Sequence, residues 1–581
     1  MRRSFLLVFA LIAVTLAGPT SSAGAAGSSF TLFGSGFGHG IGMSQWGAYG
    51  MASAGWNHAD ILTHFYSGTK IVDTPPLPPK IRVGLTLDEG SIHLTASHGS
   101  LRLWTGTPLT GTPVASIPQG ETWTVSPSRS GTYKVRDAAG SLVGRHWGST
   151  TEDLFVTYWD ARARASMQEA DRSGSGTTYG RGYLEFNTYL CSTRCRERLI
   201  LKIPFEQYLL GIGEVSSSWP RQALEAQVVA SRTYAAYDVR NYGLRSGCNC
   251  DVEDGGNDQT YLGWSQESGT DGDRWFAAVR ATRSEVVTYK GAIIQAFFAA
   301  SDGGYSENVE DAWHGGDPRY AIPYLRGVCD VGENTPADPW VSWSYSFSAA
   351  DVAARLTPYT GSIGTITGFD SDVRGVSGRI VTVRVVGASG KAVVTGGELR
   401  AALALPDDRV WFDRDKNILG AIRTAYDDLD CRPGSPTTAT LVLPDGSRQR
   451  FEHGGIYVNT TAGITVWVRG SIYDEYRAVG DASGVLGLPV DDVVSLPPGS
   501  AAGCSGCKQV DFEGGRMYVN PSVGTHAIWG PALSAYLAEG GPGGHLGYPT
   551  DRVVTASDAS TSITFEHGSI SCTAGGVCQV G

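Results

Sequence analysis

Positive charge is scarce in this chain. Its 581 residues hold 46 Lys and Arg against 57 Asp and Glu, a formal net charge of −11. Phosphate recognition rests on basic surface, so no nucleic-acid partner is expected. The same sign repels an anionic envelope, so retention there requires specific contacts. Long apolar runs are also missing: the stretch from Phe5 to Leu16 falls short of the ~20 residues that span a bilayer, and no later segment is long enough. Charged residues make up only 18%, beside 77 Gly and 15 Trp, which suits a loop-rich, aromatic-rich extracellular protein better than a disordered one. Short signatures fail too. Ser67-Gly-Thr-Lys70 matches the S-x-x-K of penicillin-recognising enzymes, yet neither S-D-N nor K-T-G accompanies it. Asp251-Val-Glu-Asp-Gly departs from calcium-loop spacing. No metal and no cofactor are expected.

What is present begins with the layout of a secretory signal over residues 1–25: Arg2 and Arg3, the apolar stretch, then Ala23-Gly24-Ala25 as a small-residue cleavage site. The expectation is export with no membrane span after signal removal. Ten cysteines, Cys191, Cys195, Cys248, Cys250, Cys329, Cys431, Cys504, Cys507, Cys572 and Cys578, are then read as disulfides. The close pairs Cys191/Cys195, Cys504/Cys507 and Cys572/Cys578 suit hairpin staples.

The length suggests roughly three to four units. Lys80-Ile-Arg-Val-Gly-Leu-Thr-Leu alternates like a half-buried strand, as does Ser91 to Trp104, and strand character continues at Trp123-Thr-Val, Tyr133-Lys-Val and Leu154-Phe-Val-Thr-Tyr. Pro220 to Arg240 reads instead as a helix, with Ser217 or Ser218 as cap, Pro220 in its first turn, and Leu224, Val228, Ser231, Ala235 and Val239 along one face. Apolar residues fill much of the remainder, so this helix is a buried scaffold. Just ahead of it stands one carboxylate, Glu214, among Leu210, Ile212, Val215 and Trp219. Desolvation there pushes a carboxyl pKa upward. Glu225, inside the helix, reads as structural or ion-paired. Cys431-Arg-Pro-Gly-Ser-Pro-Thr-Thr reads as a linker. Beyond it Phe451-Glu-His-Gly-Gly-Ile-Tyr457, Phe512-Glu-Gly-Gly-Arg-Met-Tyr518 and Phe565-Glu-His-Gly-Ser-Ile570 repeat, as do Val485-Leu-Gly-Leu-Pro-Val-Asp491 and His545-Leu-Gly-Tyr-Pro-Thr-Asp551. Two full units and a partial third are expected, each covering its neighbour's apolar face.

Tyr208, Leu209, Gly211, Glu214, Trp219, Ala223, Leu224, Ala226, Gln227, Ala230, Arg232, Thr233 and Tyr234 resemble the central motif of SpoIID/LytB-type sporulation and cell-wall proteins. Gly36-Phe-Gly-His39-Gly-Ile-Gly-Met-Ser-Gln45-Trp-Gly-Ala48 and Ala59-Asp-Ile-Leu-Thr-His64-Phe-Tyr-Ser-Gly-Thr69 resemble further elements of that family, although this block closes the domain in sporulation members and opens it here, a permuted order. Asp258-Gln259-Thr-Tyr261-Leu-Gly263, then Phe298-Ala-Ala-Ser301-Asp-Gly303-Gly304-Tyr-Ser-Glu307 and Trp313, extend the resemblance over roughly Gly34 to Asp330. One clostridial branch carries a His/Cys zinc site near this point. Here Cys250 is present, but Asn257-Asp258 replace the His-Cys pair, which leaves too few ligands for tetrahedral zinc. The C-terminal repeats resemble LGFP repeats, thought to tether exported actinobacterial proteins to the wall.

The resemblance implies an α+β fold: a β-rich catalytic domain over 27–430 with an insertion around 80–180, a buried helix after the catalytic Glu, and a wall-binding module of small repeats over 431–581. It implies a secreted, wall-associated lytic transglycosylase that cuts peptidoglycan glycan strands between N-acetylmuramic acid and N-acetylglucosamine, leaving 1,6-anhydro ends, on glycan stripped of stem peptides. Ordinary glycosidases need two carboxyl groups. When the muramyl 6-hydroxyl is the attacking group, one suffices, and Glu214 is the expected acid/base. His39, Ser44, Gln45, Gln259, Tyr261, Ser301, Gly303, Gly304, Tyr305 and Glu307 are the expected substrate contacts, and a wall polymer is the expected partner of the repeats. The alternative implied by LytB-type relatives is a non-catalytic, wall-binding modifier of an amidase.

Overall fold

The computed structural model describes residues 29–581 except 74, 107, 108, 110, 111, 129–131, 148–152, 172, 173, 175, 190–194, 413, 414 and 499–502. The expected signal, residues 1–25, and Cys191 lie outside the described residues. The fold is α+β and β-rich, and the chain divides into two compact units. One is built from Ile41–Ala300 with Ala321–Arg326, the other from Gly27–Gly40, Ser301–Tyr320 and Gly327–Gly581.

In the first unit the alternating stretches become two sheets. Seven strands run in the order Val252–Glu253, Lys80–Glu89, Arg196–Pro204, Tyr183–Tyr189, Leu154–Tyr158, Leu101–Thr105 and Ala115–Ile117. Six more run Leu142–Trp147, Tyr133–Arg136, Thr122–Pro127, Ile92–His98, Arg164–Met167 and Thr178–Tyr179. Ser91 to Trp104, one alternating run in the sequence, is two strands in different sheets, because the chain turns at Gly99. Period-two alternation sends Ile81, Val83 and Leu85 of one sheet and Ile92, Leu94 and Ala96 of the other into a common core with Leu199, Leu201 and Val125. Each such aliphatic side chain, fully buried, contributes about 1.5–3 kcal/mol.

Four helices matter for the site: α1 (Gln45–Ser53), α2 (His58–Phe65), α3 (Arg221–Asn241) and α4 (Gly272–Ala281). Helix α3 is buried at every residue from Ala223 to Ala236. Its polar residues are locked inside: Arg232 reaches Glu206 at 3.0 Å, Thr233 accepts from the Val287 N–H at 3.0 Å, and Tyr234 donates to Asp258 at 2.8 Å. The expected serine cap does not form. Pro220 occupies the cap position and its carbonyl accepts from the Ala223 and Leu224 N–H groups, while Ser217 accepts from Gln266 and Ser216 and Ser218 bond to each other.

In the second unit Ser29–Gly34 lies between Trp343–Ser348 and Val410–Trp411, and Ile366–Arg374, Ile380–Gly387 and Gly390–Thr395 form a meander. Three four-stranded sheets follow, each preceded by one of the helices Gly420–Asp428, Gly470–Ala478 and Gly530–Ala538. Their logic repeats to the atom. Glu452, Glu513 and Glu566, each after the repeat phenylalanine, accept from the Ser435, Leu488 and Tyr548 N–H groups at 2.9, 2.9 and 2.7 Å. Tyr426, Tyr476 and Tyr536, each on the preceding helix, pack on Phe451, Phe512 and Phe565 with centroids 5.4, 4.6 and 4.6 Å apart. The stretch read as a linker is therefore part of the first repeat: Pro436 bridges Phe451 as Pro489 bridges Phe512, and Cys431 is bonded to Cys329. The hairpin staples Cys504–Cys507 and Cys572–Cys578 are formed.

Candidate active site

Glu214 sits on the loop between a turn of 3-10 helix, Leu209–Gly211, and α3. The turn is pinned by the Trp275 indole of α4, which donates to the Leu209 carbonyl at 2.9 Å. The loop then runs along Thr260–Leu262 as a short antiparallel pairing: Gly213 N–H to Thr260 O at 2.9 Å, Leu262 N–H to Gly211 O at 2.7 Å, and Ile212 opposite Tyr261. This approach explains the two glycines that precede the acid. A Cβ on Gly211 would lie 2.5 Å from the Tyr261 ring, and one on Gly213 2.5 Å from Leu262.

The Glu214 side chain is half-buried. It accepts from the Thr260 N–H and hydrogen-bonds the Gln45 amide of α1. Desolvation pushes its carboxyl up to about 7 against the opposing pull of those bonds and of the Thr260 side chain, and the charge of Asp254 adds to the rise. Among the described residues no basic side chain pairs with it. Gln45 is itself held by Gln227 of α3 at 3.3 Å, and Asp254 accepts from the Tyr261 N–H at 2.9 Å.

Beside the acid lies an aromatic group. Trp219, five residues along the same loop, packs against Trp46 at 4.7 Å and Tyr49 at 5.2 Å, and all three are partly exposed. Trp46 follows the Glu214 partner Gln45 on α1. Partly exposed rings on the loop that carries the acid and on the helix that carries its partner Gln45 suit a ligand with alternating polar edges and apolar faces. Reading the sequence singled out Trp219 but not Trp46 or Tyr49. The signal available was their spacing of three residues on a helix, which puts both on one face.

The other expected residues are placed as follows. Ser44 caps α1 by accepting from the Gly47 N–H at 3.0 Å. Gln259 is buried, accepting from the Tyr208 hydroxyl at 2.7 Å and donating to the Ser231 carbonyl at 3.4 Å. Tyr261 is buried and stacks on Tyr208 at 5.3 Å. Gln45, Gln259 and Tyr261 thus gather around the Glu214 loop. The remaining six belong to the second unit. His39 is half-buried, edge-on to Trp313 at 5.2 Å. Ser301 is buried, donating to Glu333 and to Asp338. Gly303 and Gly304 adopt φ of 69° and 102°, and Tyr305 pairs with Cys329. Glu307 is fully buried; it accepts from the Asn308 and Val376 N–H groups and from the Ser377 hydroxyl, and burial raises its carboxyl while Ser377 and Arg379 pull it back. Glu225 meets Arg221 at 2.7 Å and His58 at 3.3 Å, an ion-paired residue as expected. Cys250 is bonded to Cys248, so its sulfur is no metal-binding thiolate.

Residues 194–289, which hold the Glu214 loop, α3 and the Thr260–Leu262 segment, match the SpoIID family, described as stage II sporulation protein. Residues 434–484 and 486–544 match the LGFP repeat. The chain carries a SpoIID domain and C-terminal LGFP repeats. Stage II sporulation protein D of Bacillus subtilis is 28% identical over 188 residues, covering 30% of this chain and 53% of that protein. The amidase enhancer of Bacillus subtilis is 32% identical over 147 residues, 25% of this chain and 17% of that protein. An uncharacterized protein of Brachyspira hyodysenteriae is 32% identical over 151 residues, 25% of this chain and 37% of that protein. The chain spans about half or less of the length of these relatives. SpoIID and LGFP are both cell-wall-associated families. Among the described residues no helix is long and apolar enough to cross a membrane.

Proposed function

We propose that the SpoIID domain is an exported peptidoglycan lytic transglycosylase with Glu214 as its single acid/base. The observation that carries this reading is the half-buried Glu214 carboxyl, pushed up to about 7 with no cation paired to it among the described residues, on a loop shared with Trp219, whose ring packs with Trp46 and Tyr49. A carboxyl with that pKa is substantially protonated near neutral pH and gives its proton to the oxygen leaving C1 of the muramyl residue. The C1–O bond to the next sugar breaks, the muramyl 6-hydroxyl attacks C1, and its proton passes to the Glu214 carboxylate. A new C1–O6 bond closes the 1,6-anhydro ring and the acid is restored, with no water consumed. Gln45 and the Thr260 N–H hold the carboxyl in place. Ser44 caps the helix that carries Gln45, and Gln259 and Tyr261 brace the loop that carries Glu214. The LGFP repeats bind a wall polymer and keep the enzyme at its substrate layer.

A second reading is supported by the match to the amidase enhancer: a wall-binding modifier of an amidase without turnover of its own. One experiment separates the two. The mature chain and Glu214→Gln are incubated with peptide-free glycan strands and with intact peptidoglycan, and products are read by mass spectrometry. Anhydro-muramyl ends from wild type and none from a folded Glu214→Gln are expected. No ends from either substrate, with wall binding intact, would sink the enzyme and leave the modifier.

A further inference from the structure

The second unit holds a knot of buried acids that glycan cleavage does not use. Asp302 follows Ser301 at the head of the Gly303-Gly304 turn, and Asp330 and Glu333 lie on the loop after Cys329. Carboxylate oxygens of these three residues lie within 4.8 Å of one another, and all three residues are 0–1% exposed. Asp338, also buried, adjoins Glu333 through the shared donor Ser301. Internal bonds satisfy only part of the group. Asp302 Oδ1 accepts from the Gly304 N–H at 2.8 Å, and Asp330 Oδ1 from the Gly332 and Glu333 N–H groups at 2.8 and 3.1 Å. Asp302 Oδ2 and Asp330 Oδ2 are buried with no hydrogen-bond partner.

The nearby arginines form their ion pairs with other acids, and their charges only partly offset the burial that raises the Asp302 carboxyl. Arg379 pairs with Asp407 at 2.9 Å and Asp408 at 3.5 Å, and Arg423 pairs with Asp427 at 2.7 Å. Toward the cluster both turn to main chain: Arg379 donates to the Asp302 carbonyl at 2.9 Å and Arg423 to the Asp330 carbonyl at 3.0 Å. Arg409 donates to the Gly303 carbonyl at 2.8 Å. Among the described residues neither Asp302 nor Asp330 forms an ion pair. Unpaired carboxylates at this burial are strongly disfavoured, so either protons or a cation must accompany them. Two buried unpartnered oxygens, on residues whose carboxylates gather within 4.8 Å and, among the described residues, with no thiolate or imidazole in the group, match a hard cation held by oxygen.

We propose that Asp302, Asp330 and Glu333 bind one calcium ion, with Asp338 supporting Glu333 from behind. Calcium fits better than magnesium because it accepts many protein oxygens at 2.3–2.6 Å, whereas magnesium is bound at 2.0–2.1 Å and keeps several waters, for which a fully buried site has little room. The ion ties the Ser301–Gly304 segment to the Cys329–Glu333 loop, so its role is to fix the shape of that turn.

The test uses the whole mature chain. After treatment with EGTA and desalting, protein is given calcium alone or magnesium alone; bound metal is counted by elemental mass spectrometry and the melting temperature is read with and without chelator. One calcium per chain and a rise of about 5 °C or more in millimolar calcium are expected. In Asp330→Asn, which keeps the Oδ1 acceptor, both the bound ion and the shift are lost. Should that variant not fold, wild type decides by terbium luminescence excited through Trp340, whose backbone N–H donates to Asp338 Oδ1 at 2.8 Å; a signal that calcium displaces supports the site. No bound metal and no shift would overturn it and assign shared protons to the cluster. A response to magnesium alone would overturn the choice of ion, and calcium bound equally by a folded Asp330→Asn would place the ion elsewhere.

Discussion

Glu214 and Glu225 stand eleven positions apart in the SpoIID motif and have opposite surroundings. Glu225 is on the first turns of α3, with Arg221, His58 and Gln222 around its carboxylate. Glu214, on the loop before α3, has the Thr260 N–H and side chain, the Gln45 amide and the neighbouring charge of Asp254. A carboxylate held by an arginine, an imidazole and an amide serves as structure. A carboxyl desolvated without a paired cation keeps a proton that it can transfer.

The comparison breaks most visibly in activity. Glu214→Gln is expected to lower formation of anhydro ends about 10²–10⁴-fold, with the melting temperature near wild type at about pH 4, below the unfolded pKa, whereas Glu225→Gln retains turnover. Product counting by mass spectrometry checks both. Stability gives the second and more diagnostic contrast. A carboxyl whose pKa rises on folding stabilises the protein below its unfolded value and costs stability as pH climbs through the folded value, here between roughly pH 4.5 and 7. Glu214→Gln removes that cost, so at pH 8 the variant is expected to be more stable than wild type by up to about 3 kcal/mol. Glu225→Gln is expected to be less stable by about 1–2 kcal/mol, since it leaves the Arg221 and His58 contacts without their anion. Denaturant titration at pH 5 and 8 reads both signs. Next in size, Trp219→Ala removes one ring of the aromatic group and is expected to lower kcat/KM on glycan about tenfold through KM, leaving the pH profile in place. The smallest effect belongs to Gln45→Ala. Its amide lowers the Glu214 pKa, so its loss is expected to move the alkaline limb of the rate profile upward by less than about one pH unit. A downward shift would contradict the assignment of that limb to Glu214.

Much of this was legible in the residues. Period-two alternation located the strands Lys80–Glu89 and Thr122–Pro127, because a two-sheet core needs every second side chain apolar. The burial of α3 was equally plain from Ala223 to Ala236. Its cap was not, since three serines near a proline leave the choice to whichever other partners they find, here Gln266 and one another. The Arg232-Thr-Tyr234 stretch of that helix works as internal bracing. Cys431-Arg-Pro-Gly-Ser-Pro-Thr-Thr has the composition of a linker and lacks the leucine of Leu-Gly-x-Pro, yet backbone geometry and Glu452 preserve the same turn there. Trp46 and Tyr49, and the acids Asp302, Asp330 and Glu333, escaped notice for a different reason. Each group gathers only when segments far apart in the chain fold together, and no local spacing announces that.

The tyrosine of each repeat helix, packed on the phenylalanine of the following hairpin, makes the natural unit of inheritance run from helix to hairpin instead of from one Phe-Glu to the next. Duplication of that step lengthens the array without leaving an uncovered ring, while a cut inside it bares one. The first step begins at the helix Gly420–Asp428, whose Tyr426 covers Phe451. A fragment made to study the repeats alone should therefore start before Gly420 and will lose the bond from Cys431 to Cys329.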